Sequence, residues 1–159
     1  MVTASIGVAV RKAVADGLAD HLGTLSAFNG VTAAEHQVVV GFAYDFANLH
    51  REHIFTGRSR AETPAAGMRS GRNTRNEAGR FDLTVMVRSV AGDAYEAEAR
   101  AEAIGGQLED WLAARKSNEL AVTGLLSLVV ESWDADYAQV DNGTAAIRTY
   151  VVRWTSRLE

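Results

Sequence analysis

The chain lacks cysteine, has a single proline and contains no long apolar run. Without cysteine it cannot build a disulfide framework or a thiolate metal site, which is consistent with a reducing cytoplasm. No apolar stretch reaches the roughly 18 residues that a membrane-spanning helix needs. The first residues, MVTASIGVAVRKAV, also lack the basic start and continuous apolar run of a signal peptide. The sequence therefore predicts neither secretion by that route nor a membrane span.

Aromatic residues make up only 8% of the chain, but hydrophobic residues reach 47% and charged residues 23%. These values are ordinary for a globular protein. With 159 residues, the chain has the length of one domain with one hydrophobic core. We therefore expect a single domain over residues 1–159.

Positive charge is concentrated in residues 57–80, GRSRAETPAAGMRSGRNTRNEAGR, which hold the only proline, Pro64. This segment carries a formal charge of +4, whereas the whole chain carries −4, so the remainder carries −8. The segment has no apolar pattern of its own, and a loop of that length usually serves a function or becomes ordered on a partner. We interpret it as an extended basic loop whose arginines form a protein interface: Arg58, Arg60, Arg69, Arg72, Arg75 and Arg80.

Three functions remain open for this loop. It could be a solvated excursion that only favours solubility. It could bind the phosphates of a nucleic acid, although it has no aromatic residue on which bases would stack and the rest of the chain is acidic. It could also dock on acidic protein surfaces, where arginine makes bidentate bonds to carboxylates. We favour protein docking and keep nucleic-acid binding as the alternative.

Two segments show helical periodicity. Apolar residues recur at every fourth position from Ile6 to Leu22, and Gly23 ends this first helix. Asp93 stands three residues before Glu96, which is the spacing of a helix N-terminal cap, and predicts a long second helix. Its predicted buried stripe contains Tyr95, Ala99, Ile104, Leu108, Trp111 and Leu112, with Arg100 on the wet face.

Five segments have the two-residue periodicity or the β-branched composition of strands. They are residues 37–44, about 50–56, 80–90, 125–140 and 144–155. The element order is α-β-β-β-α-β-β, with the long loop between strands 2 and 3. Because neighbouring strands are joined by hairpins, we predict an α+β fold with one mostly antiparallel sheet and both helices on the same face.

No group of residues predicts catalysis or cofactor binding. His50 and His53 flank Glu52, but on a strand this spacing points the two imidazoles to opposite faces, which disfavours a metal site. Asp134 and Asp136 share one strand face without further ligands around them. The chain has no Gly-x-Ser-x-Gly nucleophile elbow and no phosphate-binding loop ending in Gly-Lys-Ser/Thr. We expect a protein that is not an enzyme and binds no metal or cofactor.

Bulky side chains on both faces of the last strand predict a subunit interface. The residues at 147–154 alternate without leaving either face polar, while two helices can cover only one face. The aromatic residues that could anchor an interface, or could simply fill the core, are Trp133, Tyr137, Tyr150 and Trp154.

The arrangement as a whole resembles the tail terminator, or tail completion, proteins of long-tailed bacteriophages. The resemblance spans the chain and rests on the stretches VRKAVADGL, QVVVGFAYDF, REHIFTGR to GRFDLTVMVRSV, DAYEAEARAEAIGGQLEDWL and TAAIRTYVVRW. It implies a homohexameric ring in the neck of the virion, which halts polymerisation of the tail tube and joins the tail to the head connector. The implied partners are further copies of this chain, the tail tube protein and the connector, while DNA only passes through the lumen.

Overall fold

The computed structural model describes residues 5–28, 38–62, 75–89, 93–115, 117–140 and 143–158. It confirms the α+β class, the element order and a mostly antiparallel sheet of five strands. The elements are α1 (Gly7–Gly23), β1 (Val38–Gly41), β2 (Glu52–Glu62), β3 (Arg75–Ser89), α2 (Ala94–Ala114), a short 3-10 helix (Ser117–Leu120), β4 (Leu125–Val140) and β5 (Gly143–Leu158). Within the described residues, neither helix is long and apolar enough to cross a membrane.

Both helices begin near the expected residues, but the buried stripe of α2 differs from the prediction. The Asp93 side chain accepts a hydrogen bond from the N–H of Glu96 at 3.2 Å, as the capping pattern requires. Tyr95 is 83% exposed, and the start of the stripe is formed by Ala97 and Ala101 instead. At 100° per residue, Tyr95 lies on the side of the helix opposite Ile104, so the predicted stripe had the wrong phase in its first two turns.

The sheet has the strand order β1-β2-β3-β5-β4. All neighbouring strands pair antiparallel except β1 and β2, which pair parallel, so the expectation of hairpins throughout was wrong at this point. Residues 42–51 carry the chain from the end of β1 back to the start of β2, which a hairpin turn cannot do. The last two strands form the predicted hairpin, and β5 lies between β3 and β4.

Both helices pack on one side of the sheet, here called the helix face, and the opposite side is called the outer face. Alternate residues of β3 and β5 point to the helix face, among them Phe81, Tyr150 and Trp154, which are fully buried. Two glycines let the helices approach these rings. A Cβ on Gly105 of α2 would lie 2.0 Å from the Tyr150 hydroxyl, and one on Gly7 of α1 would lie 3.3 Å from Trp154. The core is therefore a single layer between the sheet and both helices.

The hairpin formed by β2 and β3 is longer than the sequence predicted. Residues 57–62 and 75–80, assigned to the basic loop, belong to the strands, and cross-strand partners extend to Glu62 opposite Ala78. The strands have polar and small residues here, so hydrophobic alternation does not reveal them, whereas backbone pairing does not depend on side-chain polarity. The remaining loop, residues 63–74, lies outside the described residues.

Candidate protein interface

The six arginines assigned to the loop fall into two groups. Arg58 and Arg60 lie on β2 and are exposed, and Arg80 lies on β3. Arg75 is the first residue of β3, and its side chain lies outside the described part of the chain, as do Arg69 and Arg72 entirely. Four of the six predicted arginines thus lie on strands, where backbone pairing fixes their positions in the sheet.

Three arginines stand side by side across the outer face. Arg60 is the cross-strand partner of Arg80, and Arg80 is the cross-strand partner of Arg153 on β5. We call these three residues the arginine row. Like charges directly opposite each other on a sheet are destabilising. A row of this kind therefore favours the presence of anions on the outer face.

One carboxylate from β4 meets the arginine row. Glu131 accepts hydrogen bonds from Arg80 Nε at 2.6 Å and from Arg80 Nη2 at 3.1 Å. The hydrogen bond from Arg80, together with the charges of Arg80, Arg153 and Arg60, lowers the pKa of Glu131 below its usual value. All three arginines thus lie close enough to Glu131 to lower its pKa. Together they form a positive patch, and Glu131 is the acid at the end of the patch nearest β4.

Arg153 is the member of the row that sequence reasoning missed. Its place on one face of an alternating strand was visible, but its neighbours were not, because the sequence does not reveal that β5 pairs with β3. A sequence signal for Arg153 does exist. Residues 80–90 and 144–155 both alternate, and each segment has an arginine on the face opposite its large apolar residues. Pairing those segments in register brings Arg80 and Arg153 together.

The second surface feature is β4, an edge strand of sixteen residues. Its register with β5 shifts near Leu125 and again near Val130, but from Ser132 to Val140 the pairing is unbroken. Residues 131–137 are all exposed. An edge strand presents unpaired backbone groups along its free side, and a long regular edge can pair with another chain.

The four predicted interface aromatics divide between this edge and the core. Tyr150 and Trp154 are 0% exposed, and so they fill the core of this chain. Trp133 and Tyr137 lie on β4 and are 51% and 50% exposed. The Arg148 guanidinium lies 3.6 Å from the centre of the Trp133 ring, and the Tyr137 hydroxyl donates a hydrogen bond to Glu98. Both exposed rings are thus held in place, and their role in an interface remains a prediction.

The two histidines considered as metal ligands come closer together than strand geometry suggested. Their ring centres are 5.0 Å apart, because His50 precedes β2 and is not bound by its alternation. His50 Nε2 lies 2.8 Å from Asp45 Oδ2, and His53 packs between Tyr44 and Phe55. No group of three or more metal-ligating residues occurs among the described residues. The environment of His53 is aromatic and dry, which suits packing better than ligation.

Burial of His53 predicts a pH dependence of stability. The side chain is 3% exposed, and burial is the main cause that lowers its pKa. The unfolded chain then binds more protons than the folded one below about pH 6.5, so the free energy of unfolding falls with acidification, by at most about 1.4 kcal/mol per pH unit. We expect His53→Gln to reduce the pH dependence of the free energy of unfolding, measured by urea denaturation between pH 7 and 5. His21→Gln is the control and should keep the wild-type pH dependence. An unchanged slope in His53→Gln would contradict this assignment.

Asp45 does not interfere with that measurement. Hydrogen bonds from His50 and Asn48 hold the pKa of Asp45 at about 2. The contribution of Asp45 to the free energy of unfolding is therefore fully present above the pKa of the unfolded chain, which is about 4. It is lost only as the pH falls from there towards 2. The window above pH 5 therefore reports on His53 and not on Asp45.

The described fold is similar to that of a chain in a solved structure entitled "Virion of native gene transfer agent (GTA) particle". The TM-score is 0.60 at 18% sequence identity, and the match covers 98% of this chain and 99% of that chain. No protein-family model matches the sequence, and no curated protein matches it. At this identity the likeness concerns the fold, from end to end.

Proposed function

We propose that this chain is a structural protein of a phage-like virion with no enzymatic activity. The single observation that carries this proposal is the end-to-end likeness of its fold to a chain of a gene transfer agent virion. Two surface features agree with an assembly role: the arginine row on the outer face and the regular, exposed edge of β4. Assembly proteins need such surfaces, whereas an enzyme needs a site of converging reactive groups.

Within the virion, we propose the position that the sequence resemblance implies. The chain forms a ring, in the resembling family a hexamer, at the head-proximal end of the tail tube. The ring stops tube polymerisation and joins the tail to the head connector. A ring uses two different patches on each subunit, and the strand order places β2 of the arginine-bearing hairpin and the β4 edge towards opposite ends of the sheet.

The hairpin arginines would provide docking to the tube protein or to a neighbouring copy. Arg58, Arg60 and Arg80 lie in the paired strands. Arg69, Arg72 and Arg75 complete the proposed set. Arginine suits this role because its planar guanidinium binds carboxylates in bidentate geometry.

Negative-stain electron microscopy of the concentrated chain tests the ring. We expect six-fold particles with an open centre, and addition of these particles to polymerising tail tube protein should shorten the tubes and cap one end. Rings that leave tube length unchanged would contradict the terminator position while retaining a structural role. A chain that neither forms rings nor binds tube ends would contradict the proposal as a whole.

Nucleic-acid binding is the second candidate, and the arginine row is the observation that favours it. Three guanidinium groups on one face could contact phosphates, and such binding weakens steeply with added salt. Glu131 within the row and the acidic balance of the chain oppose it. A fluorescence titration of duplex DNA at two salt concentrations separates the candidates, since a protein ring needs no DNA affinity.

A further inference from the structure

The two free edges of the sheet differ in charge. β1 covers β2 only from Glu52 to Phe55, so within the described residues the later part of β2 has no strand on that side. Residues 58–61 of this part are exposed and include Arg58 and Arg60. At the opposite end of the sheet, the regular part of β4 exposes Asp134 and Asp136. One edge thus exposes two arginines and the other exposes two aspartates.

Both edges are long enough to pair with another strand. The uncovered part of β2 runs from Gly57 to Glu62 and has a register shift between Gly57 and Ser59, whereas β4 is regular from Ser132 to Val140. At about 3.3 Å per residue, each spans roughly 20–30 Å. Neither contains proline, which would interrupt pairing. An edge-to-edge contact could therefore form a ladder of backbone hydrogen bonds in addition to charge pairs.

The side chains of β4 are arranged for such a contact. Asp134 and Asp136 point to the outer face, as their β5 partners Thr149 and Ile147 do, and Arg60 is on the outer face of β2. Asp136 also accepts a hydrogen bond from the N–H of Tyr137 at 2.8 Å, which holds this carboxylate at the edge. Trp133 and Tyr137 lie on the other side of the strand as half-buried aromatics of the type that anchor interfaces.

We infer that the basic β2 edge of one copy pairs with the acidic β4 edge of the next copy, so that the sheet continues from subunit to subunit. The partner of each edge is a second copy of this chain. Each edge needs a free strand of opposite charge to pair with, and the other edge of the same molecule is such a strand. Two copies of the same edge would repel each other, so the contact is heterologous and closes into a ring or extends as a chain. This inference rests on the proposed function and names its subunit interface.

Two charge-reversed variants test the pairing. One is Arg58→Glu with Arg60→Glu, and the other is Asp134→Lys with Asp136→Lys. All four side chains are exposed, so thermal unfolding should stay near that of the wild type. We expect each variant alone to self-associate about 100-fold more weakly than the wild type in sedimentation, because like charges then face each other at every contact.

Mixing the two variants is the decisive step. In an equimolar mixture, each reversed edge can meet an edge of opposite charge if the two variants alternate, so we expect rings to return. Asp16→Lys with Asp20→Lys, and Lys12→Glu with Arg157→Glu, change the net charge by the same amounts at exposed positions elsewhere, and should assemble as the wild type does.

Three results would overturn the inference: variants that assemble alone, a mixture that does not restore assembly, or a wild-type chain that stays monomeric at about 1 mM, where even weak contacts are populated. The first two results concern only the variants, so the wild-type chain can still form a ring through another interface. They therefore separate failure of this interface from failure of the proposed function. The tube-capping experiment decides the latter independently.

Discussion

Replacing Arg100 with alanine should destabilise the fold by about 3–5 kcal/mol, because it removes the two charged hydrogen bonds that Arg100 donates to a buried carboxylate. Glu52 is 2% exposed on the helix face of β2 and accepts hydrogen bonds from Arg100 Nε at 2.9 Å and Nη2 at 3.0 Å. Arg100 also donates to the carbonyl oxygen of Ala27 at 3.0 Å and lies over the Phe28 ring. The side chain thus joins α2, β2 and the segment after α1.

Chemical denaturation of Arg100→Ala measures this effect. Lys12→Ala is the matched control, because Lys12 forms an exposed pair with Asp16 on α1 that should contribute well under about 1 kcal/mol. The double variant Glu52→Leu with Arg100→Leu removes both charges and should recover much of the loss. If Arg100→Ala and Lys12→Ala lose similar stability, the Glu52 pair is not the stabilising contact that the structure indicates.

Replacing Gly79 with alanine should destabilise the chain by about 1–3 kcal/mol through overpacking. A Cβ at this position would lie 2.2 Å from Cζ2 and 2.3 Å from Cε2 of Trp154, which is fully buried between the sheet and α1. The indole cannot move away without displacing the core around it, since protein interiors are close-packed. A single methyl group on β3 is therefore expected to disturb the whole contact between β5 and α1.

A double-mutant cycle isolates the clash. In Trp154→Phe the smaller ring lacks the atoms nearest to Gly79, so the additional cost of Gly79→Ala should shrink in that background. Gly57→Ala on the neighbouring strand is the control, because nothing lies within 4 Å of the added methyl group. Equal losses for Gly57→Ala and Gly79→Ala in thermal unfolding would show that strand flexibility, and not the indole, causes the effect.

The contact between Arg100 and Glu52 could not be predicted from the sequence. The sequence places Arg100 on the wet face of α2, because helical periodicity describes one element at a time. Periodicity does not register a carboxylate from another strand. The phase error at Tyr95 has a similar origin. The first turns of α2 contain several alanines and one aromatic residue, and periodicity alone does not show which of them face the sheet. In the structure α2 packs closely on Tyr150 through Gly105, with Ala97 and Ala101 buried and Tyr95 exposed.

The sequence by itself determined the α+β class, the element order, the cap at Asp93 and the concentration of arginine in the hairpin. These depend on local periodicity, capping geometry and composition, which are written along the chain. Only the tertiary structure decided the parallel pairing of β1 with β2, the arginine row and the opposite charges of the two sheet edges. Each of these depends on which strands become neighbours and in which register, and that choice is made by long-range packing.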